Sequence, residues 1–262
     1  MEFKHDLNND ISMVHFNDGF YDRYGYALLG KTLTHRKIIK MRRECMESWN
    51  ELKGKYDQSQ NWLKNTLLQD IHHYSQEVRD FYFYGPLVEI MKEIIGPNIK
   101  SVQSQLSFKL PGNHKGVGWH QDNGYGELSP YNTVTSITAL DDADTENGCL
   151  WIIPSSHKSG QLDIGYEVTV EWKNQLNEID MNVDGSESIP VPLKAGESII
   201  FHCLMLHKSE PNQSKRNRRF LFMRYADADA VEVYNHHKPR LGKLLCGHTK
   251  YLEVENFERN MS

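Results

Sequence analysis

Residues 197–226, ESIIFHCLMLHKSEPNQSKRNRRFLFMRYA, decide how this chain is read. Two apolar runs flank EPNQSKRN, a cluster of the residue types that form turns. The pattern predicts a strand over 198–206, a turn, and an antiparallel strand from residue 218. His207 closes the first strand and Arg218 opens the second, so two polar side chains meet at one end of the hairpin. Side chains of a strand share a face every second residue. Arg218, Phe220, Phe222 and Arg224 therefore point one way, and Arg219, Leu221 and Met223 the other. If the first set faces inward, Arg224 needs a partner, because an unpaired buried guanidinium is costly. That partner is either an internal acid or an anionic group of a substrate, with Phe222 against the substrate's apolar part.

Working outward, SVQSQLSFKL (101–110), TVTSITAL (133–140) and CLWIIP (149–154) read as further short strands, bounded by PGN, DDADTENG, PSSHKSG and KAG. Strands at this spacing suggest a sandwich, jelly roll or barrel. Before them, HRKIIKMRRECMESWNEL (35–52) is amphipathic at helical spacing. EVRDFYFYGPLVEIMKEII (77–95) is helical too, interrupted at Gly85-Pro86 and stopped by Gly96-Pro97. We expect one domain over 1–262, with a helical part to about 98, a β core over about 99–230 and a tail over 231–262. The long polar stretch 161–190 is either a lid or binding loop, or a plain insertion. It, the 55–80 segment and the aromatics that follow the HQD of GWHQDNGYG are expected to wall the substrate pocket.

The 262 residues are 39% hydrophobic and 25% charged, the composition of a globular protein with a sizeable core. A net charge of −5 argues against nucleic acid as a partner. Cys45, Cys149, Cys203 and Cys246 are scattered without zinc or disulfide spacing. The absence of a basic-then-apolar leader and of a long apolar run implies a cytoplasmic protein with no membrane partner. A monomer or homodimer is expected.

GWHQDNGYG (118–126) places His120 and Asp122 one residue apart. Alone, they read as polar residues of a turn. With His207 they make two imidazoles and a carboxylate, the set that covers one face of an octahedral iron(II) and leaves the rest open. His202 lies five residues from His207 on the predicted strand, hence on the opposite face, and reads as structural. His72-His73 and His236-His237 read as surface or loop features, and His114 and His157 as weak substitutes. Arg218, eleven residues past His207, has the planar fork that binds a carboxylate, although KRNRR also suits a solvated basic patch.

GWHQDNGY, ALDDADTENGCLWIIPSSHK, KAGESIIFHCLMLHKSEPNQSKRNRR and RYADAD, in that order over about 100–230, resemble the phytanoyl-CoA dioxygenase-like family of iron(II)/2-oxoglutarate oxygenases. FYDRYGYALLGKTLTHRKIIKMRRE resembles that family's opening strand and helix. Ile137 stands where the family often has tryptophan, and PSSHK where it has PGSHK. The resemblance implies a mainly β fold with flanking helices, a double-stranded β-helix or cupin-like jelly roll. It implies His120, Asp122 and His207 as iron ligands and catalytic centre, Arg218 and Ser209 on the distal carboxylate of 2-oxoglutarate, and Gln105 as an amide beside the co-substrate. It further implies dioxygen as oxidant, ascorbate as a supporting reductant, and hydroxylation of an unactivated C–H of a small molecule with release of succinate and carbon dioxide. The same chemistry can be diverted to desaturation, epoxidation or cyclisation, and a non-catalytic metal-binding jelly roll is the reading from another class. Asp122 argues against a halogenase, in which a small residue makes room for halide.

Overall fold

The computed structural model describes residues 19–52, 66–112, 115–174 and 178–261, and all structural statements concern these residues. Numbered in chain order, the helices are α1 (Phe20–Tyr24), α2 (His35–Leu52), α3 (Gln76–Tyr84), α4 (Leu87–Ile95), α5 (Val170–Asn174) and α6 (Leu252–Asn256). The strands are β1 (Tyr26–Lys31), β2 (Leu67–Gln69), β3 (Ile99–Lys109), β4 (Val117–His120), β5 (Leu128–Ser129), β6 (Val134–Ala139), β7 (Leu150–Ile152), β8 (Ile189–Val191), β9 (Glu197–His202), β10 (His207–Ser209), β11 (Arg218–Asp227), β12 (Val231–Glu232), β13 (Lys238–Pro239) and β14 (Leu244–Cys246).

An antiparallel sheet runs β1-β9-β6-β11-β3-β14, with β2 also pairing β3. A smaller antiparallel sheet, β4-β10-β7-β8, faces it, and a third sheet has the order β13-β12-β5. This is a mainly β jelly roll with flanking helices. The alternation along β11 builds both layers. Leu221, Met223 and Tyr225 are buried with Ile38 and Met41 of α2, Phe81 of α3, and Leu87 and Met91 of α4. Phe220 instead joins Ile137, Ile199 and Phe201 against Leu150, Ile152 and Val191 of the smaller sheet. Phe222 and Arg224 fall on that second face, between the sheets, as the parity of RRFLFMR requires.

Local chemistry fixes the helical layer. The Ser75 hydroxyl caps α3 by accepting from the Val78 N–H at 3.2 Å. Gly85-Pro86 separates α3 from α4. Tyr82, buried on α3, is sewn into the sheet: its hydroxyl accepts from the N–H groups of Val102 (2.9 Å) and Gln103 (3.0 Å) and donates to the Arg224 carbonyl (2.5 Å). The β11–β3 register shifts between Arg224 and Tyr225, a bulge at which this phenol fills the gap.

Two expectations change. The strand predicted over 198–206 ends at His202; residues 203–206 turn from the larger sheet to the smaller, and His207 opens β10. The turn is held by Cys203 N–H to the Thr133 carbonyl and Met205 N–H to the His202 carbonyl. His202 and His207 are thus separated by a change of sheet rather than by the two faces of one strand. The flanking segments are also not purely helix or tail, since β1 pairs β9 and β14 pairs β3.

Candidate active site

His207 lies directly opposite His120 in the β10–β4 ladder, which brings the ring centroids to 4.1 Å. Asp122 opens the 3₁₀ turn Asp122–Tyr125 just after β4, and its Oδ1 lies 3.5 Å from His207 Nε2. One ligand atom from each of the three residues falls within 4.8 Å of the others. The outer nitrogens are already committed: His120 Nδ1 donates to the Gly118 carbonyl at 2.8 Å and His207 Nδ1 to the Met205 carbonyl at 2.9 Å. A carbonyl only accepts, so both protons sit on Nδ1 and both Nε2 lone pairs face the centre, as a metal requires.

Burial, and then the neighbouring His207, push His120 down to about 3, so it is a neutral donor at ordinary pH. Burial raises the Asp122 carboxyl, but His207, Arg224, His120 and the Thr135 hydroxyl outweigh this and leave it below its ordinary value. Two imidazoles that turn Nε2 to the centre and one carboxylate fit a divalent iron.

Beside these residues is a cavity of about 380 Å³. One end holds Arg218, buried at 1% exposure, stacked 4.4 Å over the Phe220 ring and donating from Nη1 to the Ser107 hydroxyl at 3.4 Å. Its Nε has no hydrogen-bond partner among the described residues. Burial lowers Arg218 to about 9. A carboxylate is the group that this planar donor fork matches, so the dicarboxylate 2-oxoglutarate fits the site. Ser209 lines the same end, and Gln105, opposite Phe222 in the β3–β11 ladder, lines the cavity too.

At the other end are Phe222, Arg224, Gln103, Gln69, Asp70 and Arg240. Arg224 has a loose internal partner, since its Nη2 donates to Asn123 Oδ1 at 3.3 Å and its Nε stands 3.9 Å from Asp122 Oδ2. The acid it approaches is the candidate metal ligand itself.

The 161–190 stretch packs onto the His120 motif. Trp119 N–H donates to Asp180 Oδ1 (3.2 Å), Met181 N–H to the Trp119 carbonyl (2.8 Å), and Ile179 N–H to the Tyr125 hydroxyl (3.1 Å). Gly118 permits this approach, because a Cβ there would lie 2.3 Å from the Asp180 carboxylate. Buried Gln121 ties the motif to the stretch's start, donating to the Gly160 carbonyl and accepting from Leu162 N–H.

The other histidines lie apart. His202 accepts from Leu204 N–H, and its ring centroid is 5.2 Å from that of His157. His72 is buried, not superficial, with Nδ1 on the Ser104 hydroxyl; His73 meets Glu258 at 2.6 Å. His236 and His237 are exposed. His114 and residues 55–65 of the expected pocket wall lie outside the described residues. Tyr125, one of the aromatics expected after the His-x-Asp motif, lines the cavity with its ring 5.3 Å from His120; sequence reasoning missed two site neighbours, Thr135, whose hydroxyl donates to Asp122, and Lys109, bonded to Ser209. Parity along TVTSITAL offers Thr135 as one of two alternating sets, and only its pairing with Arg224 selects the set.

Comparison with known proteins follows the same lines. The family model for phytanoyl-CoA dioxygenase (PhyH) matches residues 21–220. The human peroxisomal phytanoyl-CoA dioxygenase is 24% identical over an alignment covering 97% of this chain and 81% of that protein. The methylphosphonate hydroxylase of Gimesia maris is 25% identical, covering 84% of each chain. Among solved structures, the alpha-ketoglutarate-dependent carbocyclase SnoK from nogalamycin biosynthesis superposes with a TM-score of 0.70 at 20% identity, covering 92% of this chain and 96% of that one.

Proposed function

This chain belongs to the phytanoyl-CoA dioxygenase family of 2-oxoglutarate-dependent non-haem iron oxygenases, and from that premise we propose that it hydroxylates an unactivated C–H of a small, anionic molecule. The observation that carries the proposal is the pairing of a His-Asp-His cluster, in one cavity, with a buried arginine whose Nε has no hydrogen-bond partner among the described residues. Iron(II) held by these residues would supply, with 2-oxoglutarate and dioxygen, the oxidising chemistry whose co-products are succinate and carbon dioxide.

In this reading the residues of the chain position and exclude. His120, Asp122 and His207 hold the metal, their orientation set by the Gly118 and Met205 carbonyls and the Thr135 hydroxyl. Arg218 and Ser209 bind the distal carboxylate, and Gln105 places its amide beside the co-substrate. Phe222 packs against the substrate's apolar part and Arg224 grips its anionic group, an arrangement supported by the loose 3.9 Å contact that Arg224 makes inside the protein. Residues 179–181 pack against Trp119 and Tyr125 on the His120 side, although none of the described residues of 161–190 lines the cavity. Strands from residues 26–31 and 244–246 complete one sheet, which supports reading the chain as a single catalytic domain. No helix among the described residues is long and apolar enough to cross a membrane.

The test is succinate release from 2-oxoglutarate with iron, ascorbate and oxygen across a panel of small metabolites. Acceleration by anionic molecules, with a hydroxylated product by mass, is the expected result. Metal binding with no 2-oxoglutarate turnover under any condition would leave a binding protein instead.

A further inference from the structure

Lys109, the last residue of β3, lies directly opposite Arg218 in the β3–β11 ladder and is 2% exposed. Its Nζ meets three oxygens: the Ser209 carbonyl at 3.0 Å, the Ser209 hydroxyl at 2.8 Å and the Glu210 carbonyl. The Glu210 carboxylate is held elsewhere, by Lys208 at 2.5 Å. The lysine pocket is built: Gly148, at φ +84°, leaves room where a Cβ would lie 2.4 Å from the Glu210 carbonyl and 3.1 Å from Lys109 Cδ. Asn212 donates to the backbone carbonyl of Lys109 at 2.9 Å.

Resting on the co-substrate reading above, we propose that Lys109 is a positioning residue that turns the Ser209 hydroxyl into an obligatory donor aimed at the carboxylate awaited by Arg218. Protonated, the form that a bound carboxylate favours, Lys109 has three N–H groups and no lone pair, and it then serves all three oxygens only by donating to each. Two of these are carbonyls, which accept. Ser209 Oγ must then accept from Lys109 as well, and its own hydrogen is released toward the cavity that it lines together with Arg218. Protonated Lys109 places a second cation behind the first, and neither side chain is hydrogen-bonded to a carboxylate among the described residues. Burial, followed by repulsion from Arg218, pushes Lys109 down to about 6. An incoming carboxylate opposes that shift and favours the triply donating form.

The experiment titrates 2-oxoglutarate into the manganese(II)-loaded full chain without oxygen, by calorimetry. Lys109→Met should weaken binding about tenfold, the usual effect of a lost hydrogen bond to a charged group. In a Ser209→Ala background the same substitution should add less than about twofold, because its route is through the hydroxyl. Equal losses in both backgrounds, or none in either, overturn the proposal. Melting curves accompany each titration, and Lys109→Gln replaces Lys109→Met, under the same non-additivity criterion, if the methionine variant does not fold. If the wild type binds no 2-oxoglutarate, or Arg218→Lys binds as well as wild type, the co-substrate reading fails; if those behave and only the Lys109 result is missing, this inference alone fails.

Discussion

Arg224 Nε stands 3.9 Å from Oδ2 of Asp122, and the same oxygen accepts the hydroxyl of Thr135, the residue facing Arg224 in the β11–β6 ladder. One carboxylate oxygen is thereby committed to the sheet. The other, Oδ1, faces His207 and the centre. The arrangement joins Arg224 to the His120–His207 pair through a single aspartate.

Removing any one of the three central side chains should empty the site. His120→Ala, Asp122→Ala and His207→Ala are each expected to weaken iron binding by at least about 100-fold, since even outer-shell partners cost 10–100-fold. His202→Ala should bind iron as wild type does, because its ring faces His157. Metal content after dialysis reads this directly, and iron loss in the His202 variant with retention in the His207 variant would reverse the assignment.

Arg218→Lys should raise the 2-oxoglutarate KM about tenfold although charge is kept, because an ammonium lacks the two-pronged geometry. Its neighbour Arg219 points the other way and clasps Asp141 through Nε (2.6 Å) and Nη2 (2.7 Å). Arg219→Lys should therefore leave KM unchanged and lower stability by about 1 kcal/mol. Kinetics and melting curves on the pair must split in this way.

Arg224→Ala tests the substrate end. If Arg224 grips an anionic group, turnover of the prime substrate collapses while uncoupled decay of 2-oxoglutarate and the melting temperature persist. Loss of both reactions together, or a large fall in melting temperature, would make the contact with Asn123 and Asp122 its whole purpose.

Tyr82→Phe should destabilise by about 1–3 kcal/mol, because the N–H groups of Val102 and Gln103 lose their acceptor inside the protein. Chemical denaturation measures it. A smaller loss would show that the bulge closes on itself without the phenol.

Stability should also fall on acidification, partly through His202. Burial and then His157 lower its pKa from 6.5 to about 4, so the folded protein holds it neutral while the unfolded chain takes up a proton first. Its contribution is complete above about pH 6.5, declines as the pH drops toward 4 and does not change further below that. His202→Gln should flatten the melting-temperature profile in that window and nowhere else.

Much of this was legible in the sequence. Alternation in RRFLFMR placed Arg218, Phe220, Phe222 and Arg224 on one face, because a strand's period of two survives burial and the bulge begins only after Arg224. Gly85-Pro86 separated two helices by backbone chemistry alone. The grouping of His120, Asp122 and His207 followed from side-chain type and the order of motifs, since the set of donors an iron can use is small. What parity misjudged was the 198–206 run, where apolar residues continue through a change of sheet and hydrophobicity carries no mark of the turn.

By itself, then, the sequence determined which residues are chemically able to hold iron and a dicarboxylate, since those properties belong to the side chains and to their local spacing. Only the tertiary structure decided that His120 faces His207, that Thr135 and Arg224 share one oxygen of Asp122, and that Lys109 stands behind Ser209. Each of these depends on which strands pair and in what register, with partners up to about a hundred residues apart, as in Lys109 and Ser209. A lysine next to a Pro-Gly turn reads as solvated surface until the ladder with Arg218 and the fold of Gly148 over it remove the water.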